Sequence, residues 1–240
     1  TGHAVYDRWV KQCAFPVLGA NIVDNKTGEP YLTPYKIIER KGVKIAVLGM
    51  ITPAIPSWLP EQLWNGLHFE DMEDCARKWV KIIKEKENPD VLIGLFHAGP
   101  EGNKLDNVVE NGSGDVAKNV PGFDVVFMGH DHVRRCEKIV NVAGDSVLLV
   151  DPANAARYVS DVTVKVTKAG GKLVRKSVEG ALADVSRYAA DEDFMREFAG
   201  QYQATVDFVS RKIGRIEETI TTKDAYLGPS AFIDLLHQLQ

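Results

Sequence analysis

The sequence predicts an α/β fold, with parallel strands first and an antiparallel, β-rich part after them. Three observations predict it. Residues 43–51, 90–99 and 125–128 carry nearly unbroken apolar runs, as strands covered on both faces do. Residues 71–87 place Met72, Cys75, Ala76, Trp79, Val80, Ile82 and Ile83 at i, i+3, i+4 spacing. A strand, an amphipathic helix and a second strand in that order make the two strands parallel. After residue 138 the texture changes to period-2 alternation, clearest in "VSDVTVKVT".

Each element has its own signal. Residues 3–12 form a partial apolar face from Val5, Trp9 and Val10, with Thr1 or Gly2 as cap. "FPVLGANIV" at 15–23 is expected as a strand, and 25–30 as a turn. Strands 35–40 and 43–51 are joined by Lys41-Gly42, a hairpin signature. Residues 52–68, with Pro53, Pro56, Pro60, Trp58 and Trp64, read as an irregular surface excursion whose aromatics either line a pocket or, more commonly, form a satellite cluster. Asp71 caps the 71–87 helix and Pro89 stops it. The second apolar strand ends in His97. Residues 100–122 are polar and rich in Gly and Asn, with a helical hint at 116–120. The third strand ends at Gly129, a sharp turn. Antiparallel strands follow at 138–142, 146–150, 158–167 and 173–182, turning at Gly144 and Gly170-Gly171. Residues 191–212 make a long amphipathic helix, 214–220 a strand, and Ser230 caps a last helix.

Composition narrows the classes. The chain has 240 residues, 45% hydrophobic and 26% charged, ordinary for a globular protein. Net charge is −4 with no basic block, which argues against duplex nucleic acid as a partner. No apolar run approaches the roughly 20 residues of a membrane span. No charged-then-apolar leader occurs within these residues, so no signal peptide is read in them. Cys13, Cys75 and Cys136 lack a Cys-x-x-Cys pattern and support neither a zinc knuckle nor a disulfide framework, and Cys75 is expected buried. A chain opening on Thr1 reads as a processed or excised piece.

Three of the six histidines end buried-looking strands: His97 after "VLIGLF", and His130 and His132 after "VVFMG". Open α/β sheets place their chemistry at the carboxyl ends of strands. Parallel strands lying side by side would bring these imidazoles together, with Gly99 and Gly129 allowing close backbone approach. Convergent imidazoles suit Mn, Fe, Zn, Ni or Co and argue against pure Mg or Ca cages. His3, His68 and His237 lack that context and read as satisfied or solvated.

"DVLIGLFHAG" followed by "FDVVFMGHDH" resembles the last two motifs of the calcineurin-like metallophosphoesterases. The likeness is nearest to their 5′-nucleotidase and 2′,3′-cyclic-nucleotide phosphodiesterase branch. "FPVLGANI", "GVKIAVLGMITP" and the tail "IGRIEETI…GPSAFIDLL" match that branch in order and spacing, so the likeness covers essentially the whole chain. It implies part of a four-layer α/β/β/α sandwich at 1–190, a linker helix at 191–213, and the truncated start of a second α+β domain at 214–240. It further implies two divalent metal ions, with His97 and His130 as ligands of one and His132 of the other. A water bridging ions about 3.5–4 Å apart becomes the hydroxide that attacks phosphorus. Nucleotides are the implied substrate, and the periplasm or cell exterior the implied location.

The sequence departs from that pattern. It has neither Asp-x-His nor Gly-Asn-His-Asp/Glu, and the likeness puts these and the Gly-Asp motif before Thr1. The bridging carboxylate and the catalytic His/Asp pair are therefore expected upstream, and no catalytic residue is assigned here. The expected protein is an interior part of a metal-dependent nucleotide phosphoesterase, and the isolated chain is expected to be inactive. A second class is open: a non-catalytic metal-binding or scaffold domain. A one-metal hydrolase built on the three histidines would need a base, and Asp131 and Glu101 are the acids near in sequence.

Overall fold

The computed structural model describes every residue except Thr1, Asn103, Asn107 and Asp224. Thr1, one of the two expected caps of the first helix, therefore lies outside the described residues. In chain order come α1 (His3–Gln12), β1 (Ile22–Asp24), β2 (Tyr35–Arg40), β3 (Val43–Ile51) and α2 (Ile55–Trp58). Next are β4 (Leu67–Phe69), α3 (Met72–Lys86), β5 (Val91–His97), β6 (Lys104–Leu105), β7 (Val108–Val109), α4 (Ser113–Asn119) and β8 (Val125–Phe127). The chain closes with β9 (Arg134–Val140), β10 (Ser146–Pro152), β11 (Tyr158–Ala169), β12 (Lys172–Asp184), α5 (Glu192–Glu197), α6 (Ala199–Val209) and α7 (Ala231–Leu239). It divides into two compact units between Arg187 and Tyr188. No helix among the described residues is long and apolar enough to cross a membrane.

The first unit is a mixed α/β structure around a six-stranded sheet of order β2-β3-β5-β8-β10-β9. β3, β5, β8 and β10 are mutually parallel, while β2 and β9 are antiparallel edges. Lys41 and Gly42 both take positive φ, 50° and 73°, the twist a two-residue hairpin needs. Asp71 caps α3 by accepting from the Glu73 and Asp74 amides. Met72, Cys75, Ala76, Val80 and Ile83 of that helix pack on Ala46, Leu48, Leu92, Phe96 and Val126 of the sheet.

The second face is covered over half its width. The β11–β12 hairpin lays Val162, Val178 and Leu182 on Val125, Leu148 and Val150. Lys168 pairs with Asp90 at 2.7 Å and Lys176 with Asp124 at 2.6 Å, fixing the hairpin to the amino ends of β5 and β8. Beside the hairpin, Ile38, Val47 and Leu95 border a cavity of about 760 Å³, walled across from them by Tyr6, Trp9 and Phe15. The expectation of cover on both faces is thus corrected for the strand at 90–99, whereas no residue of β3 is exposed. Leu92 is 3% exposed, whereas Leu95, on the other face of the same strand, is 51% exposed.

Four other expectations change. Residues 15–23 yield a strand only at Ile22–Asp24, plus isolated bridges from Leu18 to Thr33 and from Val23 to Pro30. The stretch lies close against β3, with one backbone bond from the Ala20 amide to the Gly49 carbonyl at 2.7 Å, and a Cβ on Gly49 would collide with Leu18. The strands at 138–150 are not a separate antiparallel group, because β10 inserts beside β8 in parallel and carries β9 at its outer edge. The helix over 191–212 breaks at Phe198, whose φ of −96° and ψ of 3° divide α5 from α6. No strand forms at 214–220.

Candidate functional site

Register sets the site. β3 and β5 pair so that Ile51 stands beside His97, and β5 pairs β8 so that Leu95 stands beside Phe127. The loops leaving these strands therefore emerge side by side. The loop after β5 is pinned by three bonds. Thr52 donates its amide to the His97 carbonyl (3.0 Å), Ser113 its hydroxyl to the Ala98 carbonyl (2.7 Å), and Gly99 its amide to Asn111 Oδ1 (2.5 Å). Gly99 is required there: a Cβ would lie 2.8 Å from Asn111 Oδ1 and 2.9 Å from Asp131 Cβ. Gly129 is less crowded, since its Cβ would sit 3.9 Å from His97 Nδ1.

The loop after β8 is bent by two non-glycine residues at positive φ, His130 at 90° and His132 at 61°. Such conformations cost on the order of 1–3 kcal/mol each and persist only where the surroundings impose them. The surroundings here are aromatic and acidic. The His97 and His130 ring centroids are 5.3 Å apart, edge to face at 65°. Trp58 of α2 lies over His130 at 5.1 Å with its plane tilted 31°. His130 Nε2 bonds to Glu110 Oε1 at 3.0 Å. Partial burial, reinforced by repulsion from His130 and His132, holds the His97 pKa below the usual imidazole value. His97 is thereby kept neutral near pH 7, with a lone pair to offer.

The structure brings His97 and His130 together. The charge of His132 also reaches His97, while among the described residues no group of three His, Cys, Asp or Glu side chains is placed to hold a metal ion. As they stand, these residues do not complete a metal site. Of the acids near in sequence, Asp131 spends Oδ1 on the Val133 amide at 3.1 Å, and Glu101 is exposed.

The carboxylate that meets His130 is Glu110, which sequence reasoning missed. It lies in a polar loop with no periodicity, and folding of that loop brings it to His130. Asp151 was also missed. It is fully buried near the carboxyl end of β10, and burial followed by the neighbouring Asp131 pushes its carboxyl up to about 6. An acid closing the apolar run "SVLLV" was the available signal. Trp58 stands at the site, not in a remote cluster. Trp64 does pack in a cluster, against Phe69, and donates Nε1 to the Leu59 carbonyl. His3 is satisfied by Tyr31 and the Asn65 carbonyl, and His68 by Asn25. His237 is exposed. The cysteines are free, with Cys75 buried as expected.

Comparison with solved structures decides the fold. The calcineurin-like phosphoesterase YfkN from Bacillus subtilis superposes with a TM-score of 0.72 at 22% identity, over 88% of this chain and 68% of that one. The fold is that of the calcineurin-like phosphoesterases. A putative 5′-nucleotidase from Staphylococcus aureus matches with a TM-score of 0.76 at 18% identity, over 98% of this chain and 46% of that one.

Sequence relatives of this phosphoesterase-fold chain agree with the likeness read from its motifs. A 2′,3′-cyclic-nucleotide 2′-phosphodiesterase/3′-nucleotidase from Haemophilus influenzae is 28% identical over 260 residues, covering 96% of this chain. A 5′-nucleotidase from Vibrio cholerae is 33% identical over 124 residues, 51% of the chain. The chain spans 39% of the Haemophilus relative and 22% of the Vibrio one. No family model matches.

Proposed function

We propose that this chain is the imidazole-bearing part of a phosphoesterase that hydrolyses nucleotide phosphoesters, either 5′-monoesters or 2′,3′-cyclic diesters. The observation that carries the proposal is the pairing of His97 with His130 at the carboxyl ends of adjacent parallel strands. Relatives named as nucleotidases and cyclic-nucleotide phosphodiesterases support it. His97, His130 and His132 supply imidazole ligands for two divalent ions drawn from Mn, Zn, Fe, Co or Ni. Polypeptide outside these 240 residues supplies the carboxylate ligands and the His/Asp pair acting on the leaving group. The chain's 39% share of its Haemophilus relative supports that division. On this reading 1–190 belongs to the phosphoesterase domain, 191–213 links it onward, and 214–240 opens a nucleotide-binding domain. The setting is the periplasm or cell exterior.

The test is metal binding and turnover by residues 1–240. Zn²⁺ or Mn²⁺ binds weakly, and His97→Ala or His130→Ala lowers the affinity at least roughly tenfold, about 1.4 kcal/mol. Hydrolysis of 5′-AMP or 2′,3′-cyclic AMP stays near background, while the longer protein turns them over and loses activity to a chelator. Robust metal-dependent turnover by residues 1–240 alone would sink the divided-site reading. The absence of a three-donor cluster among the described residues favours one other reading, a non-catalytic metal-binding or scaffold domain. A longer protein that binds metal and never hydrolyses either nucleotide would establish that alternative.

A further inference from the structure

We infer that Glu110 and Asn111 form a brace that sets the two site histidines relative to each other, with Glu110 as the positioning residue of His130. A carboxylate only accepts hydrogen bonds, so the 3.0 Å contact requires the proton of a neutral His130 to sit on Nε2. Nδ1 has no hydrogen bond to a described residue and is the nitrogen left for a ligand. Trp58 at 5.1 Å and His97 at 5.3 Å limit the position of the ring, and the bond to Glu110 fixes its rotation.

The next residue holds the other half of the site. Asn111 Oδ1 accepts the Gly99 amide at 2.5 Å, two residues beyond His97. One dipeptide thus ties the loop after β5 to the loop after β8. His130 sits at φ 90°, a conformation with little intrinsic preference, so an external tie is what the loop needs. Neighbours that fix the tautomer and orientation of a ligating histidine are worth about 10–100-fold in metal affinity.

This inference rests on the reading of His130 as a functional imidazole, and its test separates the two. In ¹⁵N-labelled protein, the His130 ring is assigned by its loss in His130→Gln. Its Nε2–H proton is expected downfield and slow to exchange. Glu110→Ala abolishes that signal, and Glu110→Gln restores it, because the amide oxygen also accepts. Backbone amide signals of the buried sheet residues Val126 and Leu149 stay in place in both variants, which rules out misfolding. Zn²⁺ affinity falls about 10–100-fold in Glu110→Ala and less in Glu110→Gln. An Nε2–H signal that persists unchanged in Glu110→Ala overturns the brace. The expected signal changes with no Zn²⁺ binding in any form uphold the brace and remove the metal reading instead.

Discussion

Asp151 is a carboxyl group sealed into the sheet. Oδ1 accepts the Ala153 amide at 2.8 Å, Oδ2 is buried, and the carboxyl of Asp131 is its acidic neighbour. Its pKa of about 6 lies above the ordinary carboxylate value, so between roughly pH 4 and 6 the native state binds more protons than the unfolded chain. The contribution of this group is full below about pH 4 and is lost as pH rises through about 6. Asp151→Asn should therefore flatten the fall in melting temperature across that window and raise it at pH 7. Parallel pH profiles for the two proteins would refute the assignment. The histidines at the site were legible because strand ends fix where such residues emerge. Glu110 and Asn111 were not, because loop closure alone carries them to the site.

The same contrast governs the elements. α3 was read with its cap, and that cap is measurable. Asp71→Ala should cost about 1 kcal/mol in urea unfolding, since two amides lose their acceptor. β5 was read as a strand, yet an apolar run does not say which face is covered. Leu92 lies under the helices and Leu95 faces the open cavity. Leu92→Ala should cost about 2–5 kcal/mol and Leu95→Ala under about 0.5 kcal/mol. Equal losses would mean that Leu95 is packed after all. Residues 214–220 were read as a strand, but a strand needs a partner ladder and none forms among the described residues. The periodicity of 191–212 is helical on both sides of Phe198 and gave no sign of the break.

At the scale of the molecule, the β-α-β order made the parallel core readable, since the connection of such units follows from handedness and short loops. The insertion of β10 beside β8 was hidden. Its antiparallel pairing with β9 looks complete in sequence, and nothing local shows that its other edge continues the main sheet. The hairpin β11–β12 then occupies only half the second face. That half-covered sheet has a colloidal consequence. A broad apolar surface is kept from its copies chiefly by like charge, and a net −4 with an isoelectric point near 5.9 provides little repulsion under mild acid. Light scattering should rise as pH approaches 6 while the far-ultraviolet spectrum stays native. Leu95→Glu should delay that rise without shifting the melting temperature by more than a few degrees. The uncovered half of the sheet, rather than unfolding, would then set how concentrated a solution of residues 1–240 can be.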